Sequence, residues 1–301
     1  MRVLRRSGSG VELVEGVERR PGDGEVRIAL AAAGICRTDL YVADGSIAGR
    51  SPVVLGHEAA GWIDAVGPGV DRTLGELVAI DPSLPCSRCA ACVESGDCES
   101  PIFLGVDRDG AFADAISVPA RCAVAMPAAM EPRRAAYLEP VAAALAVTGA
   151  GLDPDARGAI VGGGRIAELT ARVLLACGYR PPMRVSDIAD LGGDYDYIIE
   201  TCAPPSLDPL VAAVRPGGTV VLKSRPAAPV ALDLRLAVSR RVTLRAVSYA
   251  PFSAAADLLA SDRLELGDLY GESFALDDWP AAFSAARADE SLKQFFALGS
   301  R

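Results

Sequence analysis

The sequence predicts an α/β protein in two parts, one β-rich and one smaller and doubly wound around a parallel sheet. Three observations predict it. From residue 1 to about 145, short β-like runs such as Glu25 to Leu30, Ala60 to Val66 and Leu77 to Ile80 are separated by turn clusters, Pro21-Gly22-Asp23-Gly24 and Gly67-Pro68-Gly69. From Ala159 the order changes to a strand, a glycine turn and an apolar helix running from Ile166 to Ala176. The length of 301 residues also exceeds what one core serves, since single cores stop growing near about 250 to 300 residues.

Composition narrows the ligands. A net charge of −9 argues against nucleic acid or an anionic membrane surface, because phosphate binding needs clustered Lys and Arg. Half the residues are hydrophobic, but no uninterrupted apolar run of about 20 residues is present to span a bilayer. The basic start Met1-Arg2-Val3-Leu4-Arg5-Arg6 is followed by Ser-Gly-Ser-Gly rather than the apolar core of a signal peptide. Cytoplasmic residence and a small-molecule ligand are expected. Eight cysteines in a reducing compartment then read as metal ligands or small buried hydrophobes.

In chain order, Cys36 heads the segment Cys36-Arg37-Thr38-Asp39 and is by itself as easily a buried small residue as a ligand. His57, followed by Glu58, is the only histidine in the chain. A lone imidazole needs no chemical role. A thiolate, an imidazole and carboxylates from well-separated segments are nevertheless what an open catalytic zinc site requires, and Glu139 offers a further carboxylate. The densest signal is Cys86, Cys89, Cys92 and Cys98, whose C-x2-C-x2-C-x5-C spacing suits a closed tetrahedral zinc shell. A free thiol cluster and a stray disulfide are the alternatives.

Gly162-Gly163-Gly164-Arg165-Ile166-Ala167 is a G-x-G-x-x-A turn between a strand and a helix. In that context the glycines admit a dinucleotide pyrophosphate and the helix N-terminus favours its charge. Met183-Arg184-Val185-Ser186-Asp187 reads as the next strand, ending in an acid 23 residues after Gly164. Asp187 is placed to accept from the adenosine ribose hydroxyls, which favours NAD over NADP; its alternative role is a helix cap. Glu131 to Leu152 and Leu207 to Val214 read as helices, Thr219 to Leu222 and Val242 to Val247 as strands, and Trp279 to Ala288 as a closing helix.

The Cys36, His57-Glu58 and Glu139-Pro140 segments, with the cysteine cluster and the glycine turn, resemble the zinc-dependent medium-chain dehydrogenases. The likeness is strongest to the branch containing polyol, sugar and threonine dehydrogenases. The resemblance implies a GroES-like β-barrel catalytic domain at 1–145 and 265–301 with a shortened Rossmann domain at 146–264. It implies Cys36, His57 and Glu139 as ligands of a catalytic zinc, with Glu58 beside the metal and able to replace its water. It implies Thr38 as the hydroxyl that relays the substrate proton, Asp39 as the partner of His57, and Arg37 as a cofactor pyrophosphate contact.

The chain departs from the family pattern at three places. Tyr41 stands where many relatives carry a proton-shuttling His, and a phenol of pKa about 10 shuttles poorly at neutral pH. The cysteine loop is two residues shorter than usual. Between Asp187 and the strand Tyr195 to Glu200 the family carries some forty residues, with a helix, a strand and another helix, where here only Ile188 to Asp194 intervenes; the absent strand would lie at a sheet edge, so the remaining sheet is expected to stay continuous. The expected protein is a dehydrogenase of a secondary alcohol with two zinc ions and NAD, self-associating as a homodimer through Val242 to Val247. Carbonyl reduction, oxidation-assisted elimination and a retired binding role are the rival readings.

Overall fold

The computed structural model describes residues 1–8, 10–17, 20–86, 89–90, 92, 98, 100–226 and 228–299. The chain forms two compact units, Met1–Glu139 with Leu266–Arg301, and Pro140–Glu265.

The first unit opens with β1 (Arg2–Ser7) and β2 (Gly10–Glu15), an antiparallel pair joined by the short β4 (Val53–Val54). Its main sheet is built around β3 (Glu25–Gly34), where Val26, Ile28 and Leu30 alternate inward. One edge of β3 pairs with β5 (Glu58–Val66), which continues to β6 (Leu77–Ile80) and β10 (Ala123–Ala125). β9 (Ala115–Pro119) pairs with the first half of β3, and β17 (Lys293–Ala297), followed by β16 (Tyr270–Ala275), pairs with its last residues. Strand β3 thus joins the N-terminal and C-terminal parts of the unit. β7 (Ser83–Leu84) and β8 (Ile102–Phe103) flank the cysteine lobe. α1 (Arg37–Asp44) follows β3 directly, α2 (Pro132–Ala135) follows β10, and the closing helix α8 (Trp279–Ala288) spans the residues expected of it.

A single helix over 131–152 does not form. α2 is followed by α3 (Leu138–Leu145) and a 3-10 turn at Ala146–Ala150. The physical reason is Pro140: in a continuous helix its ring would collide with the carbonyl of Ala136, so the helix must restart after that residue.

The second unit is a parallel sheet in the order β12 (Met183–Val185), β11 (Gly158–Val161), β13 (Tyr195–Glu200), β14 (Val214–Leu222), β15 (Thr243–Ala246). The strands β11 and β13 are almost wholly buried, as in sheets covered on both faces. Ile160, Tyr197, Ile199 and Val221 meet Ala167, Ala171 and Leu174 of α4 (Arg165–Ala176) on one face. Ala159, Val161, Ile198 and Val220 meet Leu210 and Val211 of α5 (Asp208–Ala213) and the partly buried Leu236 of α6 (Leu234–Arg240) on the other. α7 (Phe252–Ala260) buries Ala255, Ala256, Leu258 and Leu259.

The sheet remains continuous without the missing strand, which leaves β12 as an edge. This edge is three residues long, follows Pro181-Pro182, and carries Arg184 paired to Glu168. Brevity, proline and charge are the features by which natural edges resist further pairing.

Inside the sheet the Tyr197 hydroxyl is buried without a hydrogen-bond partner among the described residues, and burial pushes its pKa up to about 12. An unsatisfied buried hydroxyl opposes folding. Tyr197→Phe is therefore expected to raise the urea midpoint of the unfolding transition, a gain of about 1 kcal/mol; a lowered midpoint would mean that the hydroxyl is satisfied in solution.

Candidate metal centres and cofactor cradle

The first site begins where β3 runs into α1. Cys36 is the N-cap of α1, and Asp39 lies three residues on. The Asp39 carboxylate, 1% exposed, accepts from Cys36 N at 2.8 Å and Gly56 N at 3.1 Å, and lies 3.0 Å from His57 Nδ1. An acceptor-only carboxylate at that distance assigns the ring proton to Nδ1 and leaves the Nε2 lone pair for a ligand. Phe103 of β8 packs against the imidazole with ring centroids 5.2 Å apart.

Cys36, His57 and Glu58 bring one ligand atom each to within 4.8 Å of one another. Sulfur, nitrogen and oxygen donors so grouped suit a zinc ion with a position left open. Burial disfavours the His57 imidazolium, but the neighbouring Asp39 and Cys36 charges outweigh burial and hold the ring well above its ordinary value of 6.5 in the absence of metal. A metal would displace that proton.

Glu139 stands outside this three-residue set. It is buried in the first turn of α3, with its charge felt by Asp81. Burial, with the Glu139 charge adding, raises the Asp81 carboxyl to about 6. Glu58, expected beside the metal, lies with Cys36 and His57 in this set, whereas Glu139, expected as a further ligand, lies outside it.

Lys293 is a further residue of this site that no motif in the sequence marks. This lysine, 1% exposed on β17, forms an ion pair with Glu58, which is 2% exposed. Gly34 makes room for the pair, since a Cβ there would collide with the carboxylate and press on the lysine stem. The signal was a lysine embedded beside Phe295-Phe296 in a strand with no exposed face. Thr38 is half-buried in the first turn of α1, and Tyr41 is 36% exposed one turn later. Arg37 pairs with Glu290.

The four sulfurs of Cys86, Cys89, Cys92 and Cys98 also lie within 4.8 Å of one another, with Cys86 and Cys92 Sγ 3.8 Å apart. Ligands at about 2.3 Å from a tetrahedral ion stand about 3.8 Å from each other, whereas a disulfide needs about 2.05 Å. The donors fit zinc, and Cys98 joins them despite the short loop. Cys86 N donates to Cys98 Sγ at 3.3 Å, Cys89 N to Cys86 Sγ and Cys92 N to Cys89 Sγ, the amide support that a thiolate cluster requires. Cys122, by contrast, is buried packing whose thiol burial pushes up to about 12.

In the second unit Gly162, at φ 140°, turns the chain out of β11, and a Cβ there would collide with Thr201 Oγ1. Gly163 follows, Gly164 caps α4, and Arg165 and Ile166 form its first turn, so the free amides of the helix start face the end of β11. Asp187 caps a 3-10 turn, its Oδ1 accepting from Ala189 N at 2.9 Å. Its capping role is therefore real, and Oδ2 makes no hydrogen bond among the described residues.

With this geometry established, comparison with known proteins places the chain. Residues 22–128 match the alcohol dehydrogenase GroES-like domain family. L-threonine 3-dehydrogenase of Thermococcus kodakarensis is 29% identical over 330 residues, covering 95% of this chain and 94% of that protein. The rspB alcohol dehydrogenase of Escherichia coli CFT073, solved with NADH, matches at a TM-score of 0.89 and 25% identity over 99% of each chain. A zinc-binding dehydrogenase of Sinorhizobium meliloti 1021, solved with NADP, shares the fold at a TM-score of 0.89 and 24% identity over 98% of each.

A GroES-like unit carrying an open S/N/O donor set, in one chain with a glycine-turn parallel sheet, defines a zinc-dependent medium-chain dehydrogenase. Residues 22–128 belong to the alcohol dehydrogenase GroES-like domain family, and along its length the chain is similar to threonine and alcohol dehydrogenases.

Having one histidine, the protein gives one imidazole signal. In metal-stripped protein this signal should titrate well above 6.5, and Asp39→Asn should lower its midpoint. A raised folded-state pKa means that His57 adds stability below the ordinary value and that this contribution is lost as pH rises through the folded value. NMR titration at or below 6.5 would remove Asp39 as the controlling charge.

Proposed function

We propose that this protein is a zinc-dependent dehydrogenase that oxidises a secondary alcohol of a polyol, sugar or cyclitol with NAD. The observation that carries this reading is His57, oriented by Asp39 and grouped with Cys36 and Glu58 in a buried set. When bound there, zinc supplies Lewis acidity toward the substrate oxygen and NAD supplies the hydride acceptor. The chain's own residues do the remainder. Asp39 fixes the His57 tautomer, and the Thr38 hydroxyl takes the substrate proton. Tyr41 passes no proton onward at neutral pH, so the relay ends in solvent or the cofactor ribose.

Two zinc ions per chain are part of this proposal, one in the closed cysteine set and one in the open set, with Glu139 a carboxylate in reserve near the second. Elemental analysis should give two equivalents. Cys89→Ser should destabilise the fold, because a structural site couples metal binding to folding. His57→Ala should leave the protein folded with one zinc and turnover on a polyol and cyclitol panel reduced by more than about 10³-fold, several kcal/mol of lost transition-state stabilisation. Normal turnover of His57→Ala would sink the catalytic assignment.

NAD is preferred over NADP, and both are held weakly. The exposed Asp187 carboxylate would repel the extra phosphate of NADP, an effect that solvent and salt screening reduce. The short connection Ser186 to Asp194 removes a wall from the adenine side, and each 1.4 kcal/mol of lost apolar contact is about tenfold in affinity. Calorimetry should find NAD at least about tenfold tighter than NADP, with the gap narrowed in Asp187→Ala. Tighter NADP binding by the unmutated protein would reverse the assignment.

Self-association as a homodimer is supported by the open β15 edge and by Leu234 and Val238 of α6, which are 68% and 74% exposed. Sedimentation at micromolar concentration should give about twice the 31.1 kDa chain mass. A 31.1 kDa particle would count against a dimer.

A further inference from the structure

The first unit contains a cavity that the metal centres do not use. It has a volume of about 570 Å3 and is lined from β1, β2, β3, β4 and β9, all within Met1–Glu139. Neither Cys36, His57, Glu58 and Glu139 nor the four clustered cysteines contribute to its walls. Part of the lining is apolar. Val3, Val54 and Ala113 are buried against one another, with Met1 and Val14 packed on them, in a cluster distinct from the main core of the unit. Cavities of this size hold small organic ligands.

Much of the remaining lining is cationic. Arg5, Arg20, Arg27, Arg50 and Arg108 line the cavity, against the carboxylates of Glu15, Glu25 and Asp109. Each of these carboxylates already has donors: Glu15 the Met1 ammonium at 3.3 Å, Glu25 the Gly22 N at 3.0 Å and Arg108 Nη2 at 3.2 Å, and Asp109 the Val54 N at 3.0 Å. Arg5 and Arg27 hold Glu12 and Asp64, which lie outside the lining. Among the described residues Arg20 and Arg50 form no ion pair, and Arg5 Nε is buried with no hydrogen-bond partner. A single arginine without a carboxylate is ordinary on a surface. Five around one cavity are not, in a chain whose net charge is −9. Recesses lined by one sign of charge focus the field on an ion of the opposite sign, and a buried donor calls for an acceptor. Guanidinium forks match carboxylate and phosphate oxygens.

We propose that this cavity binds a small organic anion with an apolar body, the Arg20 and Arg50 guanidiniums taking its carboxylate or phosphate and the side formed by Val3, Val54 and Ala113 receiving the rest. The site shares no residue with the metal centres or the glycine turn, so it stands or falls independently of the dehydrogenase reading.

The test titrates four probes calorimetrically into the full zinc-loaded protein: 1-naphthyl phosphate, 1-naphthoate, 1-naphthol and inorganic phosphate. At least one naphthyl anion should bind about tenfold or more tighter than both naphthol and inorganic phosphate, and the better of the two names the preferred group. The double variant Arg20→Gln, Arg50→Gln should bring that anion down to the level of naphthol, with zinc content and thermal midpoint unchanged. Lysine at both positions should restore part of the affinity. Arg50→Gln alone should cost about threefold or more, which keeps the test decisive if the double variant fails to fold. Equal binding of naphthol would show an apolar recess without charge recognition, and equal binding of inorganic phosphate a charged surface without an apolar subsite; either result overturns the proposal. It is overturned as well if neither naphthyl anion binds, or if their binding persists undiminished in the arginine variants, which would place them elsewhere on the protein.

Discussion

The open donor set depends on one buried carboxylate. Asp39 accepts from Cys36 N at the end of β3, from Gly56 N in the preceding turn of the His57 segment, and from His57 Nδ1. These groups come from two chain segments that the one carboxylate ties together. Hydrogen bonds to an ionised acceptor are roughly twice as strong as neutral ones, and a carboxylate buried without them would be costly. The same anion that joins the segments also selects the imidazole tautomer. Structure and chemistry are therefore set by a single group.

A buried acidic cluster needs compensation. Asp39, Glu58 and Glu139 are each less than a tenth exposed. Glu58 is paired with Lys293, a lysine drawn in from the last strand of the chain, 235 residues away. Such a pair adds little net stability over apolar packing, since desolvation offsets most of its Coulomb attraction. Its consequence is positional: the lysine holds one oxygen of Glu58 and so limits how that carboxylate approaches the metal set. Because β17 pairs with the end of β3, the same strand pairing that completes the core delivers the compensating charge.

The shortened second unit keeps the centre of a doubly wound sheet without one of its outer strands. The strand order retains both sides of the reversal point, so the glycine turn, the helix start behind it and the β13 to β15 edge keep their mutual register. What is lost is one outer wall. The new edge at β12 is short and carries a charged pair, features that resist further edge pairing.

The local features of this protein were legible from sequence. The two-part α/β organisation, the cysteine cluster, the glycine turn and helix α8 follow from patterns that repeat within a few residues, where side-chain periodicity and ligand spacing dictate geometry directly. Even the continuity of the shortened sheet followed from knowing that an edge strand can be removed without interrupting its neighbours. The long-range pairings needed the tertiary structure. Nothing near Glu58 announces Lys293, nothing near Arg37 announces Glu290, and the position of Arg225 over Tyr249 joins the ends of two strands. The placement of Glu139 outside the three-residue set is likewise a three-dimensional fact. Local pattern constrains dihedrals and faces, while charge compensation is settled by whichever side chains the fold brings together, and that information exists only in three dimensions.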